Sequence, residues 1–248
     1  MDDRHDAFWL AHVLSLGILP EGYIYPKEDR RVRDLLRKRS FLVRQRTSHI
    51  LSLQSMIERQ TGNRMSSNEI KRLKPEGVEL IFKDDYSVLS GKASTSNIEY
   101  LSQHIKRIEM AIKEVVKLRV PFTYLQTVPG IGDILALTIM LEVGDISRFA
   151  KVGNFSSYCR CVSSSHTSNG KTKGKGNTKN GNRYLAWAFI EAAHFAVRHS
   201  ERINSYYQRK AAKTNNVVAI KALSNKLARA SYYIMRDQVA FKEEALFS

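Results

Sequence analysis

The sequence predicts a mainly α-helical protein, and three patterns support this prediction. Apolar residues recur every seven positions within 30–61, and a second heptad series occupies 98–115. The last part of the chain holds two further helical segments, at 182–198 and 215–241. With 248 residues and 43% apolar composition, the chain is long enough for one large or two modest domains with a packed core.

The N-terminal segment places two carboxylates on one face of a predicted helix that ends at Gly17. Asp3 and Asp6 are three residues apart, a spacing that brings their side chains together on a helix. Two carboxylates on one face bind a hard cation such as Mg²⁺. Acidic residues in the first turn of a helix also complement the helix dipole without binding a metal. From the residues alone, this second interpretation is the stronger one.

The two heptad series predict a pair of long helices. The first series, beginning after a helix start at Pro26, has apolar residues seven apart: Leu36, Val43, Ile50 and Ile57. The intervening residues 62–95 are mixed and polar, with a short predicted helix at 67–74. An antiparallel coiled-coil arm is the simplest arrangement, although pairing with another chain would bury the same rows. Near the first seam, Arg39 and Arg46 are expected to extend their charged heads to solvent or phosphate.

A turn at 129–132, Pro-Gly-Ile-Gly, separates two apolar helical segments within 125–141. This arrangement predicts a helix-hairpin-helix. Gly130 and Gly132 would let the backbone approach a phosphate, and amides at the start of the second helix would bind it. Asp133, as the predicted N-cap, would compete for those amides. A purely structural turn remains the alternative.

The segment at 154–185 combines hydroxyl side chains with a basic loop, and no acidic residue occurs between Asp145 and Glu191. The hydroxyl residues are Ser163, Ser164, Ser165, Thr167 and Ser168, and the loop lysines are Lys171, Lys173, Lys175 and Lys179. Such a loop predicts a polyanionic partner, with lysines holding a phosphodiester that one hydroxyl attacks. A serine needs a base or a polarised target to attack, and the loop supplies cations but no base. A solvated linker between helices is the alternative.

The charge distribution favours a nucleic-acid partner. The chain has a net charge of +16 and a pI near 9.9, and residues 151–248 contribute +12 of this charge, with 17 Lys and Arg against five Asp and Glu. A concentrated positive field of this kind is typical of nucleic-acid binding. No apolar stretch is long enough to span a membrane, and no signal peptide opens the chain. Cys159 and Cys161 are the only cysteines of the sequence. Together these features predict that the protein resides in a reducing cytoplasm.

The segment 182–198 is apolar on nearly all sides and is expected to be central to the C-terminal core. We interpret Trp187, Phe189 and Phe195 as packing residues. His194 is interpreted as an ordinary histidine of the core or its edge, because no second metal ligand has a suitable spacing. The last amphipathic helix is expected to turn four apolar residues inward: Val218, Leu223, Leu227 and Ile234.

Four stretches, taken in order, resemble a known family. They read DRHDA, LGILPEGYIYPKEDRRVRDLLRKR, LQTVPGIGDILALTIMLEVGDISRF and SNGKTKGKGNTKNGNRYLAWAF. Together they are similar to the insertion-sequence transposases that join an N-terminal RuvC-like DEDD domain to a C-terminal serine domain, described as bridge-RNA-guided recombinases. The similarity spans essentially the whole chain.

This resemblance implies a catalytic site shared between two domains. The sequence Ser168-Asn169-Gly170-Lys171 aligns with an SGGK-like motif of the family, so Ser168 would form a covalent phosphoserine link to DNA. Asp3 and Asp6 match the last two metal-binding aspartates of the family, in its DxxDA motif, and would bind Mg²⁺. The residues around the nucleic acid would be Gly130, Gly132, Lys171, Lys173, Lys175, Lys179 and Arg183.

The same resemblance implies partners and a location. The partners would be donor and target DNA, a guide RNA that specifies both, and further copies of the chain assembled through the coiled coil, with no membrane involved. The protein would be cytoplasmic and nucleoid-associated in a bacterium or an archaeon.

The resemblance also implies a division of the chain. Residues 1–26 would be the remnant of a RuvC-like domain, 27–120 the coiled-coil arm, and 121–248 the serine transposase domain with its helix-hairpin-helix. Family members carry further residues before the DxxDA motif, including an aspartate and a glutamate of the metal cluster, so this chain is expected to be N-terminally truncated. Two departures from the family pattern are Asn169 in place of a glycine and Cys161-Val162-Ser163 in place of Leu-x-Pro.

Two alternatives to a strand-exchange enzyme follow from these departures. The first is a catalytically inactive fragment that binds DNA or RNA and oligomerises. The second is a metal nuclease that hydrolyses DNA with water and does not need Ser168.

Overall fold

The structure, a computed structural model, describes residues 2–19, 22–116, 120–162, 165–175 and 180–247. It confirms the prediction of a mainly α-helical protein, because these residues form eleven α-helices and one two-stranded sheet. The helices are α1 (Asp3–Ser15), α2 (Lys27–Thr61), α3 (Ser67–Arg72), α4 (Pro75–Glu79), α5 (Asp85–Val116), α6 (Val120–Leu125), α7 (Asp133–Val143), α8 (Val152–Tyr158), α9 (Arg183–His199), α10 (Glu201–Lys213) and α11 (Asn216–Asp237). The strands are β1 (Ser165–Ser168) and β2 (Lys171–Lys175), and short 3-10 helices occupy Ile146–Arg148 and Glu243–Leu246.

Helices α2 and α5 pack against each other in antiparallel directions and form a long arm within one chain. Three side-chain pairs join them in reversed order: Arg39 with Glu109, Arg46 with Ser102, and Gln60 with Ser87. The charged heads of Arg39 and Arg46 bind α5, whereas the sequence predicts that they reach solvent or phosphate. Nη2 of Arg39 lies 2.6 Å from Oε1 of Glu109, because this position of α2 faces the opposite helix.

The outer half of the arm has a small core of its own, to which α3 and α4 contribute. Its buried apolar residues are Ile50, Leu53, Ile57, Ile70, Val78, Phe82 and Ile98. A capping box starts α3, since Oε2 of Glu69 accepts a hydrogen bond of 2.6 Å from the amide of Ser66. The short helix predicted at 67–74 corresponds to α3, which ends at Arg72, and Pro75, which has no amide hydrogen to donate, begins the separate helix α4.

Leu53 and Leu51 offer a matched test of this arm core. Leu53 is fully buried, whereas Leu51 on the same helix is 58% exposed. We expect Leu53→Ala to lower the free energy of unfolding by about 2–5 kcal/mol, because it removes buried methyl groups and leaves a cavity. We expect Leu51→Ala to change it by less than about 0.5 kcal/mol. Urea unfolding followed by circular dichroism measures both, and equal losses would contradict the assigned core.

The helices from α6 to α11 surround a larger core, with α9 at its centre. Helix α9 packs against α7, α10 and α11, and its buried side consists of Leu185, Ala188, Phe189, Ala192, Ala193 and Ala196. The base of the arm joins this core through Leu36 and Ile112. On α11, Leu223, Leu227 and Ile234 are buried as predicted, while Val218 is 42% exposed. Among the described helices, none has both the length and the apolar character to cross a membrane.

The outer side of α9 departs from the sequence prediction. Phe189 is buried, but Trp187 and Phe195 are 40% and 41% exposed. At 100° per residue, these two positions fall outside the arc that the leucine, the alanines and Phe189 occupy. Their interpretation as packing residues is therefore wrong.

Helix α1 stands apart from both cores. None of its residues is buried, and Phe8 and Trp9 are 76% and 60% exposed. It ends before Gly17, whose φ of 67° reverses the chain, as the sequence predicts. The extended residues 22–26 that follow contact the larger core, since the Asp145 amide donates a hydrogen bond of 3.1 Å to the Tyr23 hydroxyl.

Candidate nucleic-acid interface

The basic segment folds as a β-hairpin, where the sequence analysis predicts a loop. β1 pairs antiparallel with β2, and Ser168 lies opposite Lys171. Asn169 and Gly170 form the two-residue turn, with φ of 51° and 71°. Asparagine and glycine are the residues that best tolerate these left-handed values, so Asn169 is compatible with a tight turn. The Asn-Gly pair was the sequence signal for this hairpin.

Ser168 is the last residue of β1, directly before this turn. For residues 165–168, Thr172 and Lys175, the structure describes the backbone and not the side chains. Lys171 and Lys173 are exposed, and their spacing on β2 places them on one face of the strand. Ser163, Ser164 and Lys179 lie outside the described residues.

Two hydrogen bonds close the base of the hairpin. The Asn182 amide donates to the Tyr158 carbonyl at 2.7 Å, and Nη2 of Arg160 donates to the Gly181 carbonyl at 2.9 Å. Gly181 has a φ of 87°, and a Cβ there would lie 2.5 Å from the Tyr158 carbonyl oxygen. Helix α11 holds the other side, since Nζ of Lys221 donates to the Arg160 carbonyl. The described segments on either side of the hairpin are therefore fixed against each other and against α11.

A buried ionic network connects this base to the arm. Glu142, near the end of α7, is 1% exposed. Its carboxylate accepts two hydrogen bonds from the Arg37 guanidinium and one from Nδ2 of Asn182, each 2.7 Å long. Oδ1 of Asn182 then caps α9 by accepting from the amides of Tyr184 and Leu185. One carboxylate thus joins α2, α7 and the start of α9.

Aromatic residues lie beside this network. The Tyr25 hydroxyl donates to the Glu142 carbonyl oxygen at 2.5 Å. Burial, together with the hydrogen bond to Tyr158, raises the pKa of Tyr25 above its ordinary value, so its hydroxyl stays protonated and keeps donating even in alkaline solution. The guanidinium carbon of Arg148 lies 4.4 Å from the ring centre of Tyr23 and 4.6 Å from that of Tyr158. These contacts fasten residues 22–26 to the larger core.

No sequence pattern indicated which residues pair in this network, because its members are 105 and 40 residues apart along the chain. One signal was available. Glu142 is the only charged residue between Asp133 and Asp145 in an otherwise apolar helix, and a buried carboxylate requires a paired cation and hydrogen-bond donors.

The two glycines of the predicted turn between α6 and α7 have different surroundings. Gly130 has a φ of 86°, and a Cβ there would lie 2.4 Å from the Ala192 carbonyl oxygen and 2.5 Å from the Ala196 nitrogen, both on α9. Gly132 has a φ of −85° and is exposed, with no heavy atom within 4 Å of an added Cβ. Close packing against α9 therefore explains why position 130 is a glycine, while Gly132 faces solvent.

The start of α7 differs from the prediction. Gly132 is the N-cap in place of Asp133, and no side chain caps the helix. The Asp133 carboxylate instead accepts hydrogen bonds from Nζ of Lys113 at 2.5 Å and Nε2 of Gln126 at 2.6 Å. Because these partners hold the carboxylate, it does not compete for the first amides of α7, which can therefore attract an anion.

Helix α9 links the hairpin to this turn. Arg183, its first residue, is exposed, and its Nη2 donates to the Tyr184 hydroxyl at 3.1 Å. At the other end of α9, Phe195 and His199 line a groove of about 620 Å³ together with residues 126–135. Arg183 and the glycine turn therefore lie on or beside α9, which packs against α7, and the Ser168 hairpin precedes α9 in the chain.

Asp3 and Asp6 are not brought into this arrangement. Both are exposed in the first turn of α1, a helix that buries none of its residues against the rest of the chain. Within the described ranges, no cluster of three or more His, Cys, Asp or Glu side chains has the geometry to bind a metal ion. The predicted pair exists, but these residues alone do not complete a Mg²⁺ site.

Comparison with known proteins finds that the chain is similar to transposases of insertion sequences. Residues 123–208 match the model of the transposase IS116/IS110/IS902 family, and this stretch runs from α6 into α10 and includes the glycine turn, the hairpin and α9. The chain is 26% identical over 205 residues to the transposase for insertion sequence element IS1111A of Coxiella burnetii, which covers 80% of this chain and 55% of that protein. It is also 26% identical over 148 residues to the transposase for insertion sequence element IS1328 of Yersinia enterocolitica, covering 58% of this chain and 44% of that protein. The chain spans about half the length of these relatives.

Proposed function

We propose that this chain cuts and rejoins the DNA of an insertion sequence. The observation that carries the proposal is the position of the transposase match, which spans the glycine turn and the hairpin with Ser168 and includes residues 146–190, a stretch with basic residues and no acidic one. Exposed lysines on a hairpin and a helix start without a side-chain cap suit contact with a phosphate backbone.

In the proposed chemistry, Ser168 is the nucleophile. Its Oγ loses the hydroxyl proton and attacks the phosphorus of a DNA phosphodiester, the bond from phosphorus to the leaving sugar oxygen breaks, and that oxygen takes up a proton, so that no net proton is consumed. The resulting phosphoserine link keeps the energy of the ester, so a second DNA hydroxyl displaces the serine and rejoins a strand without an external energy source. Lys171 and Lys173 would neutralise charge that develops on the phosphate, and Lys175, Lys179 and Arg183 would hold the flanking backbone. Gly130 and Gly132 would support a helix-hairpin-helix contact with DNA.

Three further roles belong to the proposal. Asp3 and Asp6 would supply two ligands for Mg²⁺, with the remaining ligands coming from a RuvC-like part outside the described residues. Bound Mg²⁺ would stabilise negative charge at the reacting phosphate. The arm would act as a coiled coil that assembles copies of the chain, and a guide RNA would select donor and target DNA.

A second candidate function is a DNA- or RNA-binding, oligomerising fragment without catalytic activity. One observation favours it: the net charge of +12 over residues 151–248 and the exposed Lys171 and Lys173 suit binding to a nucleic acid whether or not a reaction follows.

Covalent trapping tests the proposal. The chain is incubated with Mg²⁺, labelled DNA carrying the junction of the element and RNA from the end of the element, and a denaturing gel is searched for a protein–DNA adduct. We expect an adduct that Ser168→Ala abolishes and that Ser165→Ala, a serine change in the same strand, preserves. An adduct that requires a separately expressed RuvC-like segment would still support the serine mechanism.

The other outcomes distinguish the alternatives. Salt-sensitive DNA binding without an adduct in either mixture would favour the inactive fragment. DNA cleavage that persists in Ser168→Ala would favour a metal nuclease that uses water as the nucleophile.

A further inference from the structure

The outer side of α9 carries aromatic and basic residues in alternation. Arg183, Trp187, His194 and Arg198 are exposed and succeed one another at spacings of four, seven and four residues, which align them along one side of a helix. Phe195 lies at the edge of this row and is 41% exposed, about as much as Trp187 at 40%. We call these five residues the α9 stripe.

The stripe is a surface and not part of a core. The opposite side of α9 supplies the buried residues of the helix, most of them alanines. These residues fill the core without Trp187 and Phe195, so packing does not explain why the outer side carries two large rings. Two half-exposed aromatic rings in a row that begins and ends with an arginine indicate a binding surface.

The surroundings of the stripe are basic. Its first residue, Arg183, follows the base of the hairpin that carries Lys171 and Lys173. At the far end, the guanidinium carbon of Arg198 lies 5.8 Å from the ring centre of Phe195. Helix α9 has a single acidic residue, Glu191, which lies four residues from both Trp187 and Phe195 and is half-buried. Arg183 and Arg198 outnumber it and leave this side of the helix with a net positive charge. This charge is complementary to an anionic polymer and unfavourable for burial against an apolar protein surface.

We propose that the α9 stripe binds single-stranded DNA by stacking unpaired bases on Trp187 and Phe195. This inference rests on the proposed role in DNA strand exchange and states which form of DNA the surface receives. Aromatic rings between cations are the usual means of holding single strands, because every unpaired base offers a face for stacking. In a duplex those faces are covered by neighbouring base pairs.

The geometry gives the stripe a role in strand exchange. Trp187 and Phe195 are eight residues apart, about 12 Å along the helix axis, so each ring receives a separate base. The stripe runs from the hairpin of Ser168 to the groove beside Gly132, where Phe195 is again a lining residue. A strand lying on it would enter the hairpin with its bases unpaired, in the state that exchange between two DNA partners requires.

Intrinsic fluorescence tests this inference directly. The chain has two tryptophans, Trp9 and Trp187, so Trp9→Phe on the exposed helix α1 leaves Trp187 as the sole tryptophan. This variant of the full chain is titrated with an oligothymidine single strand and with a duplex of equal length. We expect the single strand to quench Trp187 emission strongly and the duplex to quench it weakly.

A second set of variants measures affinity. Phe195→Ala should weaken single-strand binding by roughly 5- to 150-fold and duplex binding by less than about twofold, while Phe195→Tyr should restore single-strand binding. Tyr86→Ala is the matched control, because Tyr86 is an aromatic residue that is 86% exposed on the arm, and it should leave both affinities unchanged.

Three results would overturn the inference. The first is that the single strand does not quench Trp187 emission, and the second is that Phe195→Ala weakens the affinity for single strand and duplex equally. The third is that Trp187 emission shifts with protein concentration in the absence of DNA. The last result would assign the stripe to contact between copies of the chain. None of these outcomes would affect salt-sensitive duplex binding or a Ser168-dependent adduct. The proposed function is therefore tested independently of this inference.

Discussion

Glu142→Gln is expected to lower the free energy of unfolding by about 3 kcal/mol. The change leaves the Arg37 guanidinium and the Asn182 amide without the carboxylate that both bind, and breaking a buried ion pair costs about 3–5 kcal/mol. We expect the lower end of this range, because the Arg37 side chain is 34% exposed and recovers part of its hydration. Urea unfolding of the variant and the wild type measures the difference.

The location of this loss is also predicted. Because Asn182 caps α9, hydrogen exchange at the amides of Tyr184 and Leu185 should accelerate in Glu142→Gln. Glu99→Gln is the matched control, since Glu99 pairs with Lys74 at 2.9 Å on the surface of the arm. That pair should contribute less than about 1 kcal/mol. Equal effects of the two changes would contradict the network as described.

Gly130→Ala is expected to lower the free energy of unfolding by roughly 2–4 kcal/mol. The new Cβ would lie within 2.5 Å of backbone atoms of α9, which cannot rotate away as a side chain can. The φ of 86° adds strain for any residue with a Cβ. Thermal and urea unfolding of the variant measure the combined cost.

Gly132→Ala is the control, two residues further along the same turn. With a φ of −85° and open space around its Cβ position, it should lose less than about 1 kcal/mol, the cost of alanine as an N-cap. Because the Gly132→Ala variant is expected to remain folded, its DNA binding can be used to test the proposed phosphate contact. A stable Gly130→Ala variant would contradict the close approach of the turn to α9.

The arm illustrates what the sequence predicts well. Heptad series such as that of Leu36, Ile50 and Ile57 require a facing helix to bury them, and both long helices are present. Periodicity alone leaves open whether the partner helix comes from the same chain. The antiparallel pairing within one chain becomes clear only from contacts such as Arg39 with Glu109.

The candidate site illustrates the opposite case. The strands of the hairpin have four and five residues and consist largely of serine, threonine and lysine, so they lack the apolar alternation that identifies a strand. The Asn169-Gly170 turn was the usable signal. Contacts between distant residues, such as Arg37 with Glu142, leave no pattern in a single sequence.

Helix α9 shows why composition misleads about exposure. Its aromatic residues are expected inside a core by their hydrophobicity. The alanines fill the contact with α11 and with the glycine turn, where Gly130 approaches the backbone at Ala192 and Ala196. Trp187 and Phe195 lie outside that contact because their helical positions fall outside the buried arc of α9.

Peptide mapping of the covalent adduct tests the central claim most directly. After nuclease digestion of the DNA, trypsin releases a peptide of residues 161–171, which contains Ser163, Ser164, Ser165, Thr167 and Ser168. Fragmentation of this peptide by mass spectrometry should locate the nucleotide remnant on Ser168. A remnant on another hydroxyl residue, or a trapped adduct that carries none within 161–171, would contradict the assignment of Ser168 as the nucleophile.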